Sequence, residues 1–124
     1  MKKEYVFTGS DGLSTIRAMN TLKKRDHPRA YGTFAKKIHT YVFDEKIISL
    51  NHAIMSMTSR PAKKFKMKER GELKVGNYAD IAVIDLQAYR DMATFEYADR
   101  YVQGVKYVMV NGVVSLNDGK MTIS

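Results

Sequence analysis

Apolar side chains recur at helical spacing through the first half of the chain and at strand spacing through the second, and the period changes near Arg70-Gly71. Ahead of the helices, Tyr5-Val6-Phe7-Thr8 is a short β-prone run that stops at the turn formers Gly9-Ser10-Asp11-Gly12, which predicts a strand ending in a tight loop. Residues 13–32 are polar and basic without a sustained period, and Pro28 pushes His27 toward an extended backbone; a long loop of this kind in a compact chain commonly carries function. Thr33 reads as the N-cap of an amphipathic helix running to about Asp44, with Phe34, Ile38 and Val42 at i, i+4, i+8 and Lys36, Lys37, His39 and Thr40 mainly on the other sides. Ser49 opens a second helix, in which Leu50, Ala53, Ile54 and Met57 make an apolar stripe. After a break at Ser59-Arg60, Pro61 begins a third, short helix with Ala62 and Phe65 inward and its lysines outward. Met55, Met57 and Met67 are expected to fill gaps in the core.

Beyond Gly71, Glu72-Leu73-Lys74-Val75 alternates and Gly76-Asn77 signals a turn. Asp80-Ile81-Ala82-Val83-Ile84-Asp85 is an apolar run bracketed by acids, which predicts a strand buried on both faces. Residues 87–100 look irregular. Residues 105–110 then meet 113–116 across Asn111-Gly112, the strongest short-range hairpin signal because both residues tolerate φ > 0. Asn117-Asp118-Gly119-Lys120 turns into Met121-Thr122-Ile123, so the last third is expected to be an antiparallel meander. The predicted class is α+β, divided into residues 1–70 and 71–124.

Composition narrows what such a chain can do. Its 124 residues suit one domain, and 44% hydrophobic with 27% charged residues is a globular composition. No apolar run approaches the ~20 residues of a bilayer helix. Lys2-Lys3 is followed by no apolar leader segment, so a cytoplasmic location without membrane association is expected. The absence of Cys excludes a disulfide framework, a thiolate metal site and a Cys nucleophile from this chain. A complete (β/α)8 barrel, at about 250 residues, does not fit this length. The charge of +8 makes nucleic acid the first partner to test, yet the basic residues are scattered over unlike local structures and no nucleic-acid-binding motif organises them. A solvated basic surface accounts for them better, and nucleic acid is not expected as a partner.

Among candidate chemical groups, Asp11 is the most suggestive, because a strand ending on an acid delivers it to an open edge. On pattern alone, an Asp between Ser and Gly is more often a turn former that bonds its own backbone. His27 lies beside Arg29, whose forked donors suit a substrate carboxylate; a loop anchor explains His27-Pro28 as well. His39 and His52 match no ligand spacing, and Ser10, Ser14 and Thr15 have no base nearby in sequence, so neither a zinc helix nor a triad is supported.

Taken in order, these residues resemble the C-terminal part of the D-aminoacylase (N-acyl-D-amino-acid deacylase) family of amidohydrolases. The likeness runs through Gly9-Ser10-Asp11-Gly12, His27-Pro28-Arg29 with Gly32-Thr33-Phe34, Ser49-Leu50 to Met57-Thr58, Pro61-Ala62, Arg70-Gly71, Gly76, Ala79-Asp80-Ile81 and residues 108–112. The resemblance implies the last strand and helices of a metal-dependent (β/α)8 hydrolase barrel followed by part of an antiparallel β-sandwich module. It implies hydrolysis of N-acyl-D-amino acids with zinc as the metal. By the same likeness Asp11 is the acid that takes a proton from the metal-bound water and passes it to the leaving amine, and it is a candidate metal ligand. His27 and Arg29 remain candidates for holding substrate. The family's histidine and cysteine ligands belong to barrel strands that this chain lacks, and Asn51-His52 replaces acids that often start the second helix. The chain alone is therefore expected to bind no zinc and to be inactive, and to associate with itself or with a complementary chain supplying the N-terminal barrel. The rival expectation is a non-enzymatic basic binding module derived from that fragment.

Overall fold

The computed structural model describes residues 1–12 and 27–122, so the basic stretch 13–26 and the predicted end of the last strand at Ile123 lie outside the described residues. The first helix, α1 (Arg29–Lys36), begins four residues before Thr33, which makes the predicted N-cap an interior position. Pro28 stands at the cap with φ −49°, already helical, and its carbonyl accepts the N–H groups of Tyr31 and Gly32. The Arg29 N–H, one of the donors a helix start leaves unpaired, goes to His27 Nδ1 at 3.1 Å. Thr33 turns its hydroxyl back to the Arg29 carbonyl at 2.7 Å instead of capping.

The helix continues as a π-helical segment, Lys37–Asp44, whose wider turns bury Lys37 and Ile38 side by side. This corrects the placement of Lys37 on a solvated side. The second helix, α2 (Leu50–Met57), starts as expected, with Ser49 Oγ accepting the His52 N–H at 3.1 Å. The break before α3 (Ser59–Lys64) falls at Thr58 (φ −128°, ψ −91°) rather than at Ser59-Arg60. Because α3 stops at Lys64, only Ala62 reaches the interior, and Phe65 stands 72% exposed. Met67 is also exposed, so of the three methionines expected to fill the core only Met55 and Met57 are partly buried.

Among the described residues four strands form one antiparallel sheet in chain order: β1 (Ile81–Ile84), β2 (Val105–Val110), β3 (Val113–Asn117) and β4 (Lys120–Met121). Both hairpins are as expected. Asn111 and Gly112 adopt φ 51° and 81°, and Asp118 and Gly119 adopt φ 47° and 75°, the left-handed pair that tight hairpins require. A bulge between Val108 and Met109 lets two consecutive side chains share the half-buried face.

Three expectations fail for one reason, the lack of a second partner surface. Residues 5–8 join no sheet, and Thr8 gives its N–H to the Ser56 carbonyl. Residues 72–75 are irregular, with Leu73 and Val75 on the surface. β1 is an edge strand, so Ala82 and Val83 are exposed where burial on both faces was expected. The core is correspondingly small. Ile38, Ile48 and Ala53 are packed by Tyr41, Val42, Leu50 and Met57 from the helices and by Ile84 and Tyr89 from the sheet side. An apolar cleft of ≈ 740 Å³ remains between the helices and β1, bordered by Phe34, Ile54, Met57, Ile81 and Tyr89.

Candidate active site

The segment after Thr8 carries Asp11 at φ 51°, a left-handed conformation that Asp tolerates because its short side chain bonds locally. Gly12 donates its N–H to Ser10 Oγ at 3.3 Å, closing the small turn predicted for this stretch. Arg29, the first residue of α1, reaches across and gives Nη2 to Asp11 Oδ2 at 2.6 Å. His27 completes the group: its Nδ1 accepts the Arg29 N–H, and its ring meets Phe95 edge to face, 5.0 Å between centroids. Thus Asp11, read apart from the neighbouring His27 and Arg29 in the sequence, joins them in one contiguous cluster. The acid is 83% exposed and the guanidinium 48% exposed, so both face solvent.

The chemistry available here is a carboxylate able to take up a proton and a cation able to bind a second carboxylate. Phe95 was not singled out in the sequence; it comes from the irregular segment 87–100, and no local pattern marks a ring that meets His27 only through the fold.

The other histidines stand apart. His39 Nδ1 lies 3.3 Å from Asp44 and its Nε2 bonds Arg90, while His52 Nε2 lies 3.0 Å from the Met1 carbonyl. Among the described residues no group of three or more His, Asp or Glu side chains could hold a metal ion. Asp11 alone offers a free-standing carboxylate at the cluster, and one carboxylate bonded to a guanidinium does not make a metal centre.

A second cluster ties the helical part to the sheet. Arg70 pairs with Asp80 and gives Nη2 to Asn111 Oδ1 at 2.6 Å, while the Asn111 N–H donates to Asp80 Oδ1 at 2.8 Å. The Arg70 guanidinium also lies 4.2 Å over the Tyr78 ring. The Asn111 N–H and the Arg70 guanidinium hold the Asp80 carboxyl below its ordinary pKa. Gly71 follows at φ 85°, where a Cβ would stand 2.6 Å from that of Ala62, so only glycine fits this corner.

The profile of the amidohydrolase family matches residues 5–116, nearly the whole chain. The chain belongs to the amidohydrolase family. Within that family it is 34% identical over 109 residues to the N-acyl-D-glutamate deacylase of Alcaligenes xylosoxydans xylosoxydans, a match covering 88% of this chain and 21% of the relative. It superposes with a TM-score of 0.76 and 37% identity on a solved D-aminoacylase that has a binuclear metal centre, covering 79% of this chain and 21% of that one. On the N-acyl-D-glutamate deacylase of Bordetella bronchiseptica, solved with zinc and a phosphonate mimic of the tetrahedral intermediate, the TM-score is 0.70 at 34% identity, covering 76% and 21%.

The resemblance read from the ordered motifs is therefore correct, and the chain spans about a fifth of the length of these relatives. They are metal-dependent hydrolases, which lends no support to the rival reading as a basic binding module. The relatives bind metal, whereas the donors described in this amidohydrolase chain do not fit such a centre. No helix among the described residues is long and apolar enough to cross a membrane.

Proposed function

We propose that the chain is the C-terminal portion of an N-acyl-D-amino-acid deacylase, with residues 1–70 contributing the last strand position and helices of the barrel and residues 71–124 contributing part of its β-module. The observation that carries this is the convergence of Asp11, His27 and Arg29 on one exposed surface in a chain of this family.

In this reading Asp11 is the general base. It takes a proton from the attacking water as the amide carbon becomes tetrahedral and returns it to the departing amine nitrogen, so carboxylate and free D-amino acid leave together. Arg29 binds the carboxylate of the amino acid through its paired donors, and His27 holds Arg29 by accepting its backbone N–H. Substrate and Asp11 then share one guanidinium, so substrate binding draws Arg29 away from the base it holds at 2.6 Å. The metal centre has to be furnished by residues outside this chain. The chain by itself is inactive, and its partner is a complementary polypeptide supplying the N-terminal barrel, or further copies of itself.

Light scattering combined with a deacylation assay, with and without such a polypeptide, tests the reading. Turnover of an N-acyl-D-amino acid is expected only from the mixture and is expected to fall at least ~100-fold in Asp11→Ala, the scale of general-base catalysis. Turnover with stoichiometric zinc by the isolated chain, or equal activity in Asp11→Ala, defeats it.

A further inference from the structure

Lys37 is the buried charge that neither the sequence reading nor the proposed chemistry uses. Only 5% of it is exposed. Its Nζ donates to Thr8 Oγ1 at 2.6 Å and to Ser56 Oγ at 2.7 Å. Ser56 spends its own hydroxyl proton on the Ala53 carbonyl at 2.7 Å, so toward the amine it acts as an acceptor. Burial, with the positive charge of Arg60 adding to it, holds the Lys37 amine below its ordinary pKa. An apolar side chain would fill this space without that penalty.

What the amine does is hold Thr8. Residues 5–8 join no sheet, and the segment is fastened at Thr8 by two bonds, its N–H to the Ser56 carbonyl and its hydroxyl from Lys37. Three residues later the same segment presents Asp11, gripped by Arg29. The helix therefore holds the segment at two points, Lys37 on Thr8 and Arg29 on Asp11. The contacts fall in opposite order along the two stretches, so the segment lies antiparallel to the helix, with its turn at Ser10–Gly12 presenting the acid.

We propose that Lys37 is a positioning residue for Asp11: its buried ammonium fixes where the segment leaves α2 and hence where the carboxylate is delivered. This rests on the reading of Asp11 as general base. The test therefore has an arm that needs no activity.

In the full chain, amide exchange of Thr8 and the side-chain carboxyl signal of Asp11 are followed by NMR in Lys37→Met, Thr8→Val and Thr8→Ser. Lys37→Met and Thr8→Val are expected to speed Thr8 exchange at least tenfold and to shift the Asp11 signal while the amides of α2 stay protected. Thr8→Ser, which keeps the hydroxyl, is expected to behave as the parent. Unchanged Thr8 exchange and an unmoved Asp11 signal overturn the proposal, as does a uniform loss of protection in Thr8→Val, which leaves the buried amine in place.

In the reconstituted mixture, Lys37→Met is expected to lower kcat about tenfold with KM little changed. A change confined to KM counts against the proposal. If the parent mixture shows no turnover, the base reading fails, while the NMR arm still decides whether Lys37 places Asp11.

Discussion

Among the described residues two arginine–aspartate pairs stand out, and they differ in what surrounds them. Arg29–Asp11 stands in the open, its acid 83% exposed and held by one guanidinium nitrogen. Arg70–Asp80 is half-covered, at 29% and 32%, and is braced by the side chain and N–H of Asn111 and by the Tyr78 ring. The braced pair fastens the end of the helical part to the first hairpin, which is an architectural task. The open pair leaves its carboxylate and its cation exposed to exchange partners with water or a ligand. The same two residue types are thus fixed or open according to the number of donors around the acid.

The sharpest way to break this comparison is at Gly71. A Cβ there meets Ala62 at 2.6 Å from a left-handed backbone, next to the arginine that holds Asp80. Gly71→Ala is expected to lower the unfolding free energy by about 2–4 kcal/mol in urea titrations. A loss within ~0.5 kcal/mol, the ordinary surface range, would mean the corner is not needed.

Next in size is the direct contrast between the arginines. Arg70→Ala is expected to lower the melting temperature by several degrees, whereas Arg29→Ala changes stability by no more than ~0.5 kcal/mol, as for an exposed pair. Equal effects in calorimetry would erase the distinction.

The smallest effect is on the acid side. With its pKa lowered in the folded state, Asp80 contributes stability above its unfolded value of 3.8, and that contribution is lost as pH falls through the lower folded value. The acid limb of a stability–pH profile should flatten in Asp80→Asn; a limb of unchanged slope would assign the acid sensitivity to other groups.

Much of the local structure was legible. Ser49, Asn111-Gly112 and Asp118-Gly119 act through their own backbone and immediate neighbours, so the α2 cap and both hairpins could be read directly. The first helix starts earlier than its pattern predicts, where His27 Nδ1 receives the Arg29 N–H, a bond no propensity announces. Lys37 lies inside because the π-helical segment buries it, and Thr8 and Ser56, whose hydroxyl oxygens accept its hydrogen bonds, come from two other segments. Residues 5–8 have strand composition, but a strand exists only against a neighbour.

The candidate site divides along the same line. Its members could be listed: the acid after an apolar run, the histidine before a proline, the arginine beside it. Their assembly could not be read, since Asp11 meets Arg29 and His27 meets Phe95 through long-range contacts.

By itself the sequence determined the identities of the candidate site residues, the family and the hairpin turns, because these depend on residue type, on the order of short motifs and on near neighbours. The tertiary structure alone decided which aspartate is braced and which is open, and that a lysine expected in water lies inside. Burial and the count of converging donors are properties of several segments at once, and no stretch of a single chain encodes them locally.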